Sequence, residues 1–191
     1  MNLQEIHAGS LIAFSGVSLV SDLINLVTFG QWRQGITHVG IMGYTDEQRL
    51  LLFESTTLDK MPDELLGKPV NGTQVHELSK VIESYEGKIW LYPLVQELTP
   101  NQNVDLTQFL MATLHVPYDE QGAMRSAWLG LPGIPDYTHK DLKRIFCSEW
   151  IMAAYEQISV YKTLNASSWN PNRCIKQLRK DNIITKPIRL K

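Results

Sequence analysis

The chain has two cysteines, Cys147 and Cys174, and five histidines, His7, His38, His76, His115 and His139. A cysteine becomes a nucleophile where its thiolate is favoured, as it is beside the unpaired N–H groups of a helix N-terminus. Cys147 stands near the start of FCSEWIMAAYEQI (146–158), where Cys147, Ile151, Ala154 and Ile158 recur at helical spacing and share one face. That pattern predicts a helix with the thiol in its first turn, on the inward stripe. For either cysteine the plain alternative is a small buried core residue. There is no Cys-x-x-Cys pair, and a disulfide is not expected in a reducing compartment.

A nucleophilic thiol needs a base. His38 opens ITHVGIMGY (36–44), and Gly40, two residues on, shares its strand face and leaves room for another group to approach. A polar turn, TDEQ (45–48), separates this stretch from RLLLFEST (49–56), so the two read as a β-hairpin. A turn centred on Asp46 sets residue i opposite residue 92 − i, which places Glu54 across from His38. Opposed side chains have Cβ atoms ~4.5–5.5 Å apart, within reach of a carboxylate–imidazole hydrogen bond. The parity of the apolar residues does not fix that register uniquely. Taken singly, His38 reads as a structural strand histidine and Glu54 as an exposed carboxylate. Together, Cys147, His38 and Glu54 follow the nucleophile, base and orienter logic of covalent acyl transfer. The same three residues lack the local spacing of a zinc site, so neither metal nor organic cofactor is expected.

The elements that must hold these residues are legible in outline. SLIAFSG (10–16), GTQVHEL (72–78) and KIWLYPL (88–94) read as strands, the last stopped by Pro93, with a short helix between the second and third. VSLVSDLINLVTFGQW (17–32) reads as a helix ended by Gly30, and 104–115 as another. The segment 122–139 is rich in Gly and Pro yet carries Trp128, Leu129, Leu131 and Ile134. It is either a flap on the core or a wall of a binding cleft, and the second reading makes Trp128 a substrate-side candidate. Strands cluster early and the strongest helix comes late, which predicts an α+β domain rather than alternating βαβ units.

Length and composition (191 residues, 43% apolar, 20% charged) fit one globular domain over residues 1–191 and exclude a disordered or coiled-coil chain. No apolar run reaches the ~18–20 residues of a membrane span. Met1 to Gly16 lack a secretion-signal pattern, so the expected compartment is the cytoplasm. The net charge of −2 is uneven: residues 139–191 hold 11 Lys/Arg against 4 Asp/Glu. Residues 161–191 therefore read as a basic C-terminal extension, either a solvated face or a contact for an anionic surface. No stacking platform or recognition-helix pattern points to a specific nucleic acid.

The motifs THVGIM, FEST, PYDEQ and FCSEW, in that order, resemble the circularly permuted branch of the NlpC-type papain-like superfamily, and within it the YiiX-like permuted amidases. Those are relatives of the lecithin:retinol acyltransferase type. The resemblance spans roughly residues 9–160 and leaves 161–191 unmatched. It implies a circularly permuted papain-like fold, an antiparallel sheet packed against the helix that carries the cysteine. It also implies that Cys147 is the nucleophile, His38 the general base and acid, and Glu54 the orienter. Tyr118 of PYDEQ would offer a hydroxyl on the substrate or oxyanion side, a packed tyrosine being the alternative. The implied activity is that of a cysteine amidase or peptidase acting on a peptide, amide or lipid-like substrate through a thioester. An acyltransferase using the same thioester and a binding module without turnover remain as alternatives.

Overall fold

The computed structural model describes residues 6–16, 35–57, 61–119, 145–162 and 169–191. The helix expected over 17–32 and the loop 122–139, with Trp128, lie outside these residues. The described elements follow in order: β1 (Leu11–Ser15), β2 (His38–Tyr44), β3 (Leu50–Thr56), β4 (Gly72–His76), α1 (Leu78–Ser84) and β5 (Lys88–Tyr92). After them come α2 (Pro100–Ala112), α3 (Cys147–Gln157), α4 (Pro171–Lys180) and β6 (Ile188–Arg189). The strands form one sheet in the order β4-β3-β2-β1-β5-β6. Every pairing is antiparallel. The α+β class expected from the order of the elements is what the chain adopts.

Alternation along the strands feeds two cores. Leu11, Ala13, Val39, Ile41, Phe53 and Val75 pack with Leu106 and Leu110 of α2, Trp150 and Tyr155 of α3, and Leu178 of α4. Ile12, Phe14, Met42 and Leu52 pack on the other side with Leu78 and Val81 of α1. Each such side chain contributes ~1.5–3 kcal/mol on burial. A sheet covered on both faces makes its strands almost continuously apolar. Apolar parity therefore cannot choose the register of β2 against β3.

That register differs from the expected one. Gly40 pairs with Glu54 and Tyr44 with Leu50, so residue i faces 94 − i and the hairpin centres on Glu47. The Thr45 N–H donates to the Arg49 carbonyl at 2.9 Å, which extends the ladder and leaves a three-residue loop, 46–48. Gln48 closes it in the left-handed region with φ 60, the usual last residue of such a loop. The shift is two residues, so every side chain keeps its face.

Two helices begin on caps. Thr99 accepts from the Gln102 N–H, the Gln102 side chain answers to the Thr99 N–H, and Pro100 follows at the first helical position. These start α2 four residues before the expected 104. Asn170 caps α4 in the same way, accepting from the Arg173 N–H at 2.9 Å, with Pro171 next. The segment read as a basic extension thus holds a helix and a strand. In α4, Cys174, Ile175 and Leu178 are buried, while Arg173, Lys176, Arg179 and Lys180 are exposed. Among the described residues no helix is long and apolar enough to cross a membrane.

Candidate active site

Cys147 is the first residue of α3, with Phe146 as an extended N-cap that contributes no side-chain cap. The inward stripe read from the sequence is real: Cys147, Ile151, Ala154 and Ile158 are all buried. The helix packs on the sheet with the Trp150 ring edge-on to Phe53, centroids 6.3 Å apart. The Trp150 indole N–H donates to Thr113 Oγ1 at 2.8 Å, and the Tyr155 hydroxyl to the Gly9 carbonyl at 2.6 Å. These bonds fix the helix lengthwise. Its first-turn N–H groups have no carbonyl within the helix to serve, and they lie at the end that carries the thiol.

His38 and Glu54 are brought together. His38 Nε2 donates to Glu54 Oε2 at 2.7 Å. The contact is diagonal, because the residue directly across from Glu54 is Gly40. A Cβ at Gly40 would stand 2.9 Å from the Phe53 carbonyl oxygen and 3.4 Å from Glu54 Cβ. The missing side chain is what lets the carboxylate lean over to the imidazole. The Phe14 ring lies 5.3 Å from that of His38, centroid to centroid. The Cys147 thiol neighbours the His38 imidazole closely enough for its charge to raise the His38 pKa, and Nε2 is the ring nitrogen engaged by Glu54. The three residues thus form one run from Cys147 through His38 to Glu54, each less than a tenth exposed.

Sequence reasoning missed the fourth member. His76 on β4 donates from Nδ1 to Glu54 Oε1 at 2.9 Å, and its Nε2 lies 3.4 Å from the Met61 carbonyl. Leu52 pairs with His76, so His76 is diagonal to Glu54 just as His38 is, from the opposite side. Both carboxylate oxygens therefore receive an imidazole. Burial alone would lower the His38 pKa, but the negative charge and hydrogen bond of Cys147, then those of Glu54, raise it above the ordinary histidine value. Burial would raise that of Glu54, and the two imidazoles override it and hold the carboxylate well below its usual range. His76 is raised too: burial opposes the shift and the Glu54 bond drives it.

Tyr118 is buried, and its backbone forms a parallel bridge with Ile145, two residues before Cys147. Ser55, next to Glu54, donates from Oγ to the Ile145 carbonyl at 2.6 Å. The strand bearing the carboxylate is thereby tied to the lead-in of the thiol. Glu149, in the same first turn as Cys147, takes a hydrogen bond from the Phe146 backbone, while its Oε2 is buried without a partner. Burial first, and the Asp119 charge second, push its pKa up to about 7.

Among the described residues no group of three or more His, Cys, Asp and Glu could hold a metal ion. Glu54 holds its two histidines by direct hydrogen bonds of 2.7 and 2.9 Å. Two ligands ~2.0–2.1 Å from one tetrahedral ion stand roughly 3.3 Å apart.

The architecture defines an α+β protein with a six-stranded antiparallel sheet and, among the described residues, four helices. Its fold is similar to that of the metalloprotein YiiX from Escherichia coli O157:H7. The two align with a TM-score of 0.51 and 19% identity, over 95% of this chain and 87% of that one. No protein-family model matches the chain. No curated protein matches it significantly.

Proposed function

We propose that the chain is a cysteine hydrolase that cleaves an amide or ester through a thioester on Cys147. The observation that carries this reading is that His38, hydrogen-bonded to Glu54, faces the charge of Cys147 at the first turn of α3. His38 takes the thiol proton, and Cys147 Sγ attacks the substrate carbonyl carbon. First-turn N–H groups face the developing oxyanion, where one such donor is worth roughly 3–4 kcal/mol. The tetrahedral species collapses as the imidazolium gives its proton to the leaving amine or alcohol, and the thioester remains. His38 then takes a proton from water, the hydroxide attacks the thioester, and the acid and the thiol are released. Glu54 stabilises the imidazolium in both halves of the cycle and holds the ring in place. Tyr118 is the candidate for the substrate or oxyanion side in this reading.

We also read the fold as the circularly permuted papain-like type. The helix with the nucleophile packs on an antiparallel sheet whose strands carry base and orienter, and the chain order is His38, Glu54, Cys147.

The test is a panel of activated esters and amides, with leaving-group release followed and the intact protein weighed. The reading predicts a burst of one leaving group per chain and an acyl mass on the Cys147 peptide, both absent from Cys147→Ala. Acyl mass appearing on an added amine instead of free acid would identify the acyltransferase. No Cys147 adduct across the panel, with release unaltered in Cys147→Ala, would overturn the reading.

A further inference from the structure

The start of α4 touches both halves of the candidate site. The Asn172 carboxamide makes two hydrogen bonds to the backbone of one residue of the strand lead-in. Its Oδ1 accepts from the Ile36 N–H at 2.8 Å, and its Nδ2 donates to the Ile36 carbonyl at 3.0 Å. Ile36 is two residues before His38. Three residues before Asn172, the Trp169 carbonyl accepts a short hydrogen bond from the Ser148 hydroxyl. Ser148 follows Cys147 and is fully buried. The segment that presents these groups is itself held. Asn170 caps α4, Cys174 Sγ lies 3.5 Å from Met152 Sδ of α3, and Arg173 stacks over the Trp169 ring at 5.2 Å. Gly35 permits the approach, since a Cβ there would meet Asn172 Nδ2 at 3.2 Å.

We propose that Asn172 is a positioning residue that, with the Trp169 carbonyl, sets the separation of the Cys147 thiol and the His38 imidazole. This rests on the reading of Cys147 and His38 as a reactive pair. The side chain acts as a strand would, offering one acceptor and one donor to the backbone just outside β2. It does so from a helix whose cap follows Trp169, the residue bonded to Ser148 in the Cys147 turn. A bracket with one arm two residues before His38 and the other on the neighbour of Cys147 fixes the distance between the two. Small displacements matter, because a nucleophile and its base lose efficiency steeply once misplaced by ~1 Å. Cys147 at the start of α3 and His38 at the start of β2 are 109 residues apart in sequence.

The test uses the full chain in three forms: wild type, Asn172→Ala and Asn172→Asp. The aspartate keeps the acceptor for the Ile36 N–H and loses the donor. Iodoacetamide labelling at pH 7 is read by mass spectrometry at each cysteine, and the His38 ring is titrated by NMR. The expected result is at least a tenfold slower Cys147 in Asn172→Ala, with Asn172→Asp in between. Cys174 should stay protected in all three. The His38 midpoint, which the Cys147 charge helps to raise, should fall in the same order. A protected Cys174 with unchanged Cys147 rate and unchanged His38 titration in Asn172→Ala would overturn the proposal. So would loss of Cys174 protection in both variants, which would make Asn172 a plain fold residue. His38→Gln in the wild-type background separates the two levels. If it leaves Cys147 labelling unchanged, the reactive pair itself is wrong and the bracket falls with it. If it slows labelling while Asn172→Ala does not, the bracket alone fails.

Discussion

Glu54 is the residue on which the charges of the site balance. It is buried, and that cost is offset by two imidazoles that donate to its two oxygens. Its folded pKa is depressed, so the stability it contributes is present above the ordinary carboxyl value and lost only as pH falls through the lowered one. His38 is raised, so its contribution is complete below the ordinary histidine value and lost as pH rises through the folded one. Glu149 behaves oppositely to Glu54. Its folded pKa is raised from 4.5 to about 7 by burial and the Asp119 charge, so the folded state binds a proton the unfolded chain has released. Stability must fall as pH rises across that window. We expect Glu149→Gln, which keeps an acceptor for the Phe146 N–H, to flatten the fall. At pH 8 it should be more stable than wild type by on the order of 1–3 kcal/mol. Urea unfolding at a series of pH values measures this, and a variant as pH-dependent as wild type would contradict it. At this scale Cys147, His38 and Glu54 were legible, because a thiol, an imidazole and a carboxylate each sat at the edge of a periodic segment. His76 was legible only to a reading that also paired 72–78 with 49–56, and its place depends on that register.

The hairpin of β2 and β3 turns three residue types into a geometry. The sequence shows two strands and a polar turn between them, and the face shared by His38 and Glu54 follows. The register does not, because a two-residue shift leaves every side chain on its face, and Leu50 to Phe53 are apolar throughout. Gln48 in the left-handed region decides it, and nothing in TDEQR marks that residue as the one to adopt φ 60. The two-residue shift puts Gly40 where His38 was expected, so the Glu54 carboxylate reaches its partner across an empty position. Gly40→Ala should therefore cost roughly 1–3 kcal/mol, since the new methyl meets the Phe53 carbonyl at 2.9 Å and Leu52 Cδ1 at 2.7 Å. It should also lower the His38 NMR titration midpoint by displacing Glu54. Gly43→Ala is the control: its Cβ would meet Leu110 Cδ1 at 2.5 Å and the Phe53 ring. It should destabilise the fold and leave the His38 midpoint where it was. Equal effects of the two variants on His38 would remove the special role of Gly40.

Over the whole molecule, the residues that meet at the site come from distant parts of the chain. His38 enters from β2, Glu54 from β3, His76 from β4 and Cys147 from α3. The α+β class and the order His, Glu, Cys were legible, because they follow from where the strands and the strongest helix fall. The place of residues 169–191 was not. Seven basic residues there, from Arg173 to Lys191, masked the cap at Asn170–Pro171 and the inward row Cys174, Ile175, Leu178. The two cysteines are now a matched pair for testing the central claim that Cys147 is a reactive nucleophile set by the fold. Both are buried. Cys174 lies in the core, where burial first, and the Cys147 charge second, push its thiol pKa far up. Cys147 sits at a helix start beside an imidazole. The most direct measurement is the iodoacetamide labelling rate of each cysteine at pH 7, in the native chain and in denaturant. The account predicts that native Cys147 labels at least tenfold faster than native Cys174, and faster than it does itself in the unfolded chain, where the two rates converge. Native Cys147 labelling no faster than Cys174, or speeding up when the chain unfolds, would contradict it.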